Sequence, residues 1–337
     1  MKITLLLLAA AMLLGVAVLP ALAADPPQIK VGIIGLDTSH AIAFTKELNA
    51  ENPREDLAGC RVVAAYSKGS PDIESSTSRV PKYIEDVKKM GVEIVDSIDE
   101  LVKRVDCVLL ETNDGRPHLA QALPVFKAGK PVFIDKPLAG SVADGIALFA
   151  AAKKYNCPMF CSSALRYGKS TQAARAGEFG KITRCETTSP CSLEKTHPDL
   201  FWYGIHGCES LYAVLGPGCE TVARGKTAEG LIEVTGTWKD GRTGVFREGK
   251  GYTGIAQTEK GPQEVGKYET YRPLIVEIVK MFRSKQAPIA PDETIELYAF
   301  MEAADESKRQ GGAAIKVADI LAAARPLAEK RLAELDK

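Results

Sequence analysis

The sequence predicts an α/β protein in which a doubly wound parallel sheet is followed by an α+β unit with a largely antiparallel sheet. Three observations carry this reading. From Gln28 to Ser163, short apolar runs alternate with amphipathic stretches, the pattern of parallel strands covered by helices on both faces. Beyond Ala164, strand-like runs succeed one another through Gly-containing turns, as antiparallel strands do. Finally, 337 residues with 45% hydrophobic and 26% charged side chains make an ordinary globular composition, long enough for about two domains.

In order, "IKVGIIG" reads as the first strand and about Ala41–Ala50 as a helix, with "CRVVAAY" as the second strand. A polar segment "GSPDIESS" precedes a helical stretch "RVPKYIEDVKKMG", the short strand "VEIV", the helix "SIDELVKR" and the strand "DCVLLE". The helix "HLAQALPVFKAG", the strand "PVFID", the helix "VADGIALFAAAKKYN" and the strand "PMFCSS" complete the parallel unit, residues 28–163. Right-handed crossovers leave a doubly wound sheet as the simple topology. In residues 164–337, "KITRCETTSP", "CETVARG", "LIEVTGTWKD", "RTGVFREG" and "YTGIAQT" read as strands. Helices near Tyr271–Ser284 and Asp292–Gln310 follow, then a charged amphipathic tail interrupted at Pro326.

The first 23 residues read separately. Met1-Lys2, an apolar run and small residues at Ala21 and Ala23 have the form of a secretory signal peptide cleaved after Ala23, with a membrane anchor as the alternative. Export to the periplasm or another extracytoplasmic space is expected, and no Arg-Arg pair precedes the apolar run. Lys plus Arg and Asp plus Glu both total 43, which points away from nucleic acid and toward a small-molecule partner. Eight cysteines are compatible with disulfides in an exported chain, but none pairs with His at a zinc-finger spacing, and no metal site is expected.

The turn after the first strand is the informative stretch. A dinucleotide fingerprint G-x-G-x-x-G needs glycines for the turn, for approach to the pyrophosphate and for helix packing. Here those positions are Gly35, Asp37 and His40. Asp37 brings bulk and like charge to the pyrophosphate position, a repulsion of several kcal/mol, by order of magnitude, in a partly desolvated site. An outward-turned Asp37 capping the helix with Thr38 and Ser39 would relieve it and leave helix N–H groups for an anion. His40 is placed to reach a phosphate or the substrate crevice. At the end of the second strand, Ser67 and Lys68 replace the acid that selects NAD. If they are more than a polar surface turn, they favour NADP.

The segment "ETNDGRPHLAQALPVFKAGKPVFIDKPLA" resembles the glucose-fructose oxidoreductase / inositol dehydrogenase / rhizopine-catabolism family. Thr112-Asn113, His118, Ala128-Gly129-Lys130 and Asp135-Lys136-Pro137 match its successive features, with Asp135 standing for the family's Glu. The resemblance implies a Rossmann-like nucleotide domain and a second domain that holds a sugar or polyol substrate. It also implies a homo-oligomer formed through the second domain's sheet. Lys136 is then a catalytic candidate that contacts the reacting hydroxyl, against the plainer reading of a solvated strand-end lysine. His206 falls at the family's proton-transfer histidine, although the motif's Asp is replaced by Trp202, leaving Glu209 or Asp199 as stand-in acids. Tyr203 is a further proton-relay candidate. His118 is read as a cofactor-side or structural residue, and Arg166 and Tyr167 as substrate contacts or surface residues.

The function expected is an exported NADP- or NAD-dependent oxidoreductase acting on a sugar or polyol derivative. Two alternatives use the same scaffold: an NAD-assisted glycoside hydrolase or lyase, and a carbohydrate-binding protein that has lost its nucleotide along with its glycines.

Overall fold

A computed structural model describes residues 28–335, so the expected signal peptide lies outside the described residues. The first unit runs β1 (Ile29–Ile34), α1 (Ser39–Leu48), β2 (Cys60–Tyr66), α2 (Glu74–Lys89), β3 (Glu93–Val95), α3 (Ile98–Arg104), β4 (Cys107–Leu110), α4 (His118–Lys127), β5 (Val132–Ile134), α5 (Val142–Lys154) and β6 (Met159–Cys161). Strands β4, β5 and β6 are buried at every residue, because helices cover both faces. Their purely apolar sequences follow from that burial. Hydroxyl side chains start the helices: Thr38, Ser97 and Ser141 each accept a backbone N–H three residues ahead.

The strands form one parallel sheet in the order β3-β2-β1-β4-β5-β6. The chain runs outward from β1 to β3 and then returns to place β4 on the other side of β1. A crevice opens above the strand ends at that switch, where α/β sheets hold their ligands.

The second unit contains a 3-10 turn (Ala164–Tyr167), α6 (Lys169–Arg175), β7 (Ile182–Ser189), a π-helical turn (Leu200–Gly204), α7 (Ile205–Leu215), β8 (Cys219–Lys226), β9 (Ile232–Trp238), β10 (Thr243–Glu248), β11 (Thr253–Thr258) and β12 (Gly261–Val265). It ends with α8 (Arg272–Ser284), α9 (Pro291–Arg309), β13 (Ile315–Lys316) and α10 (Val317–Leu335). The seven-stranded sheet has the order β12-β11-β7-β10-β9-β8-β13. Every pair is antiparallel except β7 with β10. Two strands go beyond the sequence reading: β12, "GPQEV", has almost no apolar signal, and β13 has only two residues. Both lie at sheet edges, where weak strands are tolerated.

Helix α7 lies against this sheet with Gly207 at the contact. A Cβ there would come within 2.5 Å of the Phe246 ring, so glycine permits the approach that sets His206 at the crevice. The division near residue 163 does not divide the core. Leu274, Ile278, Val279 and Phe282 of α8 share one buried cluster with Val31, Ile33, Phe133 and Phe160 of the first sheet. Ala324 and Ala328 of α10 join the cluster that holds Ala147 and Ala151 of α5. Each large apolar side chain buried in this way contributes roughly 1.5–3 kcal/mol.

Candidate active site

The turn after β1 keeps its first glycine for a steric reason. Gly35 has φ of +88°, and a Cβ there would lie 2.5 Å from the Thr112 backbone. Thr38, not Asp37, caps α1: its Oγ1 accepts the Ala41 N–H at 3.3 Å. Asp37 turns inward instead and is fully buried. Its Oδ2 accepts from Ser76 Oγ at 2.7 Å and its Oδ1 from the Asn113 N–H at 2.9 Å. The outward, capping Asp37 that would have relieved the repulsion is therefore not what the chain adopts, because two donors lie ready on the inside. Burial raises the Asp37 carboxyl to about 6, with the bonds from Ser76 and Asn113 partly opposing the rise.

The same contacts close one side of the crevice. The loop between β2 and α2 lies over the turn, and a Cβ at Gly69 would fall 2.4 Å from Asp37 Oδ2. Ser70 Oγ donates to Asp114 Oδ2 at 2.5 Å, and Arg116 clasps both Asp114 and Asp72. Against its burial, His197, at 3.2 Å, together with Arg116 and Ser70 holds the Asp114 carboxyl well below its ordinary range.

On the other side the crevice is open, with a volume of about 340 Å³. Lys136, which directly follows the Asp at the end of β5, lines it, and its Nζ lies 5.7 Å from the centre of the Tyr203 ring. The loop carrying Lys136 is fixed from behind. Leu138 N donates to Tyr298 Oη at 2.5 Å, and Leu138 O lies 3.0 Å from His118 Nδ1. The opposite nitrogen of His118 is 2.8 Å from Thr112 O. His118 is thus a buried tie between two strand-end loops, and burial lowers its pKa.

Tyr203 and His206 come from the π-helical turn and the start of α7. Insertions of this kind re-aim side chains and are frequent at functional sites. The two rings meet edge to face at 5.2 Å, and Tyr252 adds a second edge at 5.8 Å. His206 Nδ1 is 2.7 Å from Ser163 Oγ. Burial, reinforced by Lys136 and His40, drives its pKa well below the ordinary value, so the ring is neutral at neutral pH. Neither acid proposed as its partner reaches it. Glu209 is bonded to Ser162 and Arg166, and Asp199 to Arg224 and Lys308.

Of the residues singled out in the sequence, Thr38, Ser39, His40, Asn113, Lys136, Tyr203 and His206 line the crevice. Gly35, Asp37, Thr112, His118 and Asp135 support it from behind. Ser67 and Lys68 do not line it, and Lys68 Nζ instead lies 5.9 Å over its neighbour Tyr66. Arg166 is not a substrate contact: it is buried in a network with Glu209 and Glu293, each at 2.5 Å. Tyr167 lines a separate depression. Sequence reasoning did not single out Ser75, Arg79, Ser163, Tyr252, Tyr268 or Tyr271, which complete the walls, and it read Trp202 only as the replacement for the motif's Asp. The tyrosines lie in loops with no periodic signal.

The residues present fit the nicotinamide end of a dinucleotide and not the whole of it. Lys136 and the uncovered start of α1, with Arg79 alongside, suit a ring and an anion. The pyrophosphate position is held by the chain's own Asp37, bonded to Ser76 and Asn113.

Residues 29–163 match the model of the oxidoreductase family with an NAD-binding Rossmann fold. This parallel-sheet domain belongs to the glucose-fructose oxidoreductase / inositol dehydrogenase / rhizopine-catabolism family. An uncharacterized oxidoreductase of Streptococcus pneumoniae serotype 4 is 29% identical over 127 residues, which is 35% of this chain and about a third (33%) of that relative. Among solved structures, a probable dehydrogenase from Thermotoga maritima superimposes with a TM-score of 0.67 at 18% identity, covering 87% of this chain and 100% of that one. The scyllo-inositol dehydrogenase of Lactobacillus casei, solved with NAD(H) and scyllo-inositol, gives a TM-score of 0.68 at 16% identity, covering 86% and 99%. These likenesses establish the shared two-sheet family fold.

Proposed function

We propose that the protein is an exported oxidoreductase acting on a sugar or polyol derivative, with a nicotinamide nucleotide as the hydride partner. The observation that carries this reading is the convergence of Lys136, Tyr203 and His206 on one aromatic-walled crevice above the strand ends. The Lys136 ammonium is placed to hold a substrate hydroxyl and stabilise oxyanion charge as its proton leaves. Neutral His206, steadied by Ser163, serves as the proton acceptor or donor. Trp202, Tyr252 and Tyr268 offer flat apolar faces edged with polar groups, which suits the C–H faces and hydroxyls of a polyol.

The buried Asp37 at the pyrophosphate position favours a second reading, in which the crevice binds a carbohydrate without a nucleotide. The two are separated by titrating the protein with NADH and NADPH and following fluorescence of Trp202, which lines the crevice. Saturable quenching at micromolar nucleotide supports the redox reading, and the stronger of the two nucleotides identifies the cofactor. No quenching at millimolar nucleotide refutes it and leaves the binding reading. Assembly through the second sheet is part of the proposal and is checked by light scattering.

A further inference from the structure

Three acid or imidazole side chains meet where neither a fingerprint nor a proton relay requires them. His40 stands at the start of α1, Glu111 directly follows β4, and Asp135 directly follows β5. Strands β4 and β5 are neighbours in the sheet, and β1, which leads into α1, lies on the other side of β4. One donor atom of each lies within 4.8 Å of the others, and His40 Nδ1 is 2.7 Å from Asp135 Oδ2. Glu111 and Asp135 have no solvent exposure.

Glu111 is the anomaly. Both of its oxygens are buried without a hydrogen-bond partner, and Thr38 approaches without completing a bond. Apart from the contact with His40, Asp135 is in the same position. Burial and the neighbouring Asp135 push the Glu111 carboxyl well above its ordinary range, against the opposing pull of Lys136, which forms no ion pair with either acid among the described residues. A buried carboxyl left without partners costs roughly 1–3 kcal/mol and calls for a missing partner.

The geometry points to a divalent-cation site formed by His40, Glu111 and Asp135 in the floor of the crevice. One imidazole and two carboxylates suit a first-row ion of the manganese, iron or zinc type. They are too few for calcium, which takes six to eight oxygens. Three protein ligands leave coordination positions open, and because His40 lines the crevice those positions face the space where vicinal hydroxyls of a polyol would lie. The cation balances the two carboxylates beside Lys136. This inference goes beyond the redox reading and does not depend on nucleotide binding.

The test uses the full folded protein, stripped with chelator and titrated with Co²⁺, Mn²⁺ and Zn²⁺ in the absence of nucleotide and sugar. The expected result is one Co²⁺ per chain with visible ligand-field absorption, displaced by Zn²⁺, and a raised thermal midpoint. Glu111→Gln and, independently, His40→Gln should each weaken uptake at least tenfold, with circular dichroism confirming the fold. Absence of stoichiometric uptake by the wild-type protein overturns the assignment, as does uptake that both variants leave unchanged. Failure here leaves the nucleotide titration untouched, so the two readings fall separately.

Discussion

Replacing Asp37 by Asn tests whether its buried carboxylate works against both folding and nucleotide entry. The carboxyl titrates at about 6 in the folded chain against an ordinary 3.8, chiefly because burial disfavours its charge. A raised folded-state value means that the native protein holds its proton more tightly than the unfolded chain. This side chain therefore costs nothing below about pH 4, and its cost grows as pH rises to about 6 and is complete above that. At 1.36 kcal/mol per unit, the full cost is roughly 3 kcal/mol. Asn is nearly isosteric: its oxygen still accepts the Asn113 N–H, and its amide can donate to Ser76 Oγ in place of the bond that now runs the other way. Urea unfolding of both proteins at pH 4 and pH 8 isolates the effect, because every other titrating group cancels in the difference. The variant should match the wild type at pH 4 and exceed it by up to roughly 3 kcal/mol at pH 8. NADH quenching should also strengthen at pH 8, where the wild-type side chain is charged. A stability difference independent of pH, or of opposite sign, refutes the reasoning.

Lys136→Ala should abolish turnover of any sugar or polyol substrate while leaving the circular dichroism spectrum unchanged, and retained turnover removes Lys136 from the chemistry. Arg166→Met should destabilise the protein by about 3–5 kcal/mol, since it strands buried Glu209 and weakens the hold on Glu293. A fall in thermal midpoint of only a degree or two would show that the network is not structural. Tyr298→Phe removes the acceptor of the Leu138 N–H behind Lys136. It should lower kcat severalfold with little change in substrate affinity, and an unchanged kcat would show that the loop holds Lys136 without it. All eight cysteines are buried free thiols, so eight should react with a thiol reagent after unfolding without reductant, and a lower count would reveal a disulfide.

The parallel sheet was legible because burial on both faces writes itself into strands such as "CVLL" and "VFI" as unbroken apolar runs. Lys136 was legible from its neighbours Asp135 and Pro137. The edge strands β12 and β13 were not, since a strand bonded on one side needs little apolar content. The role of Arg166 was hidden because its partners, Glu209 and Glu293, are 43 and 127 residues away along the chain. The direction of Asp37 depended on Ser76, a residue on another helix that no local pattern links to the turn. The convergence of His40, Glu111 and Asp135 was invisible for the same reason, because spacing along the chain cannot show that the start of α1 lies beside the ends of β4 and β5.

The return of α8 to the first sheet has a mechanical consequence. Two lobes joined only by a flexible connection can swing apart like a jaw to admit a ligand. Here Tyr271, the residue before α8, sits edge-on to His40 at 4.6 Å, and the helix that follows is anchored in the apolar cluster beneath the crevice floor. Wall and floor are consequently packed against one shared apolar cluster. The way in is bounded instead by the π-helical turn bearing Tyr203 and the loops bearing Tyr252 and Tyr268.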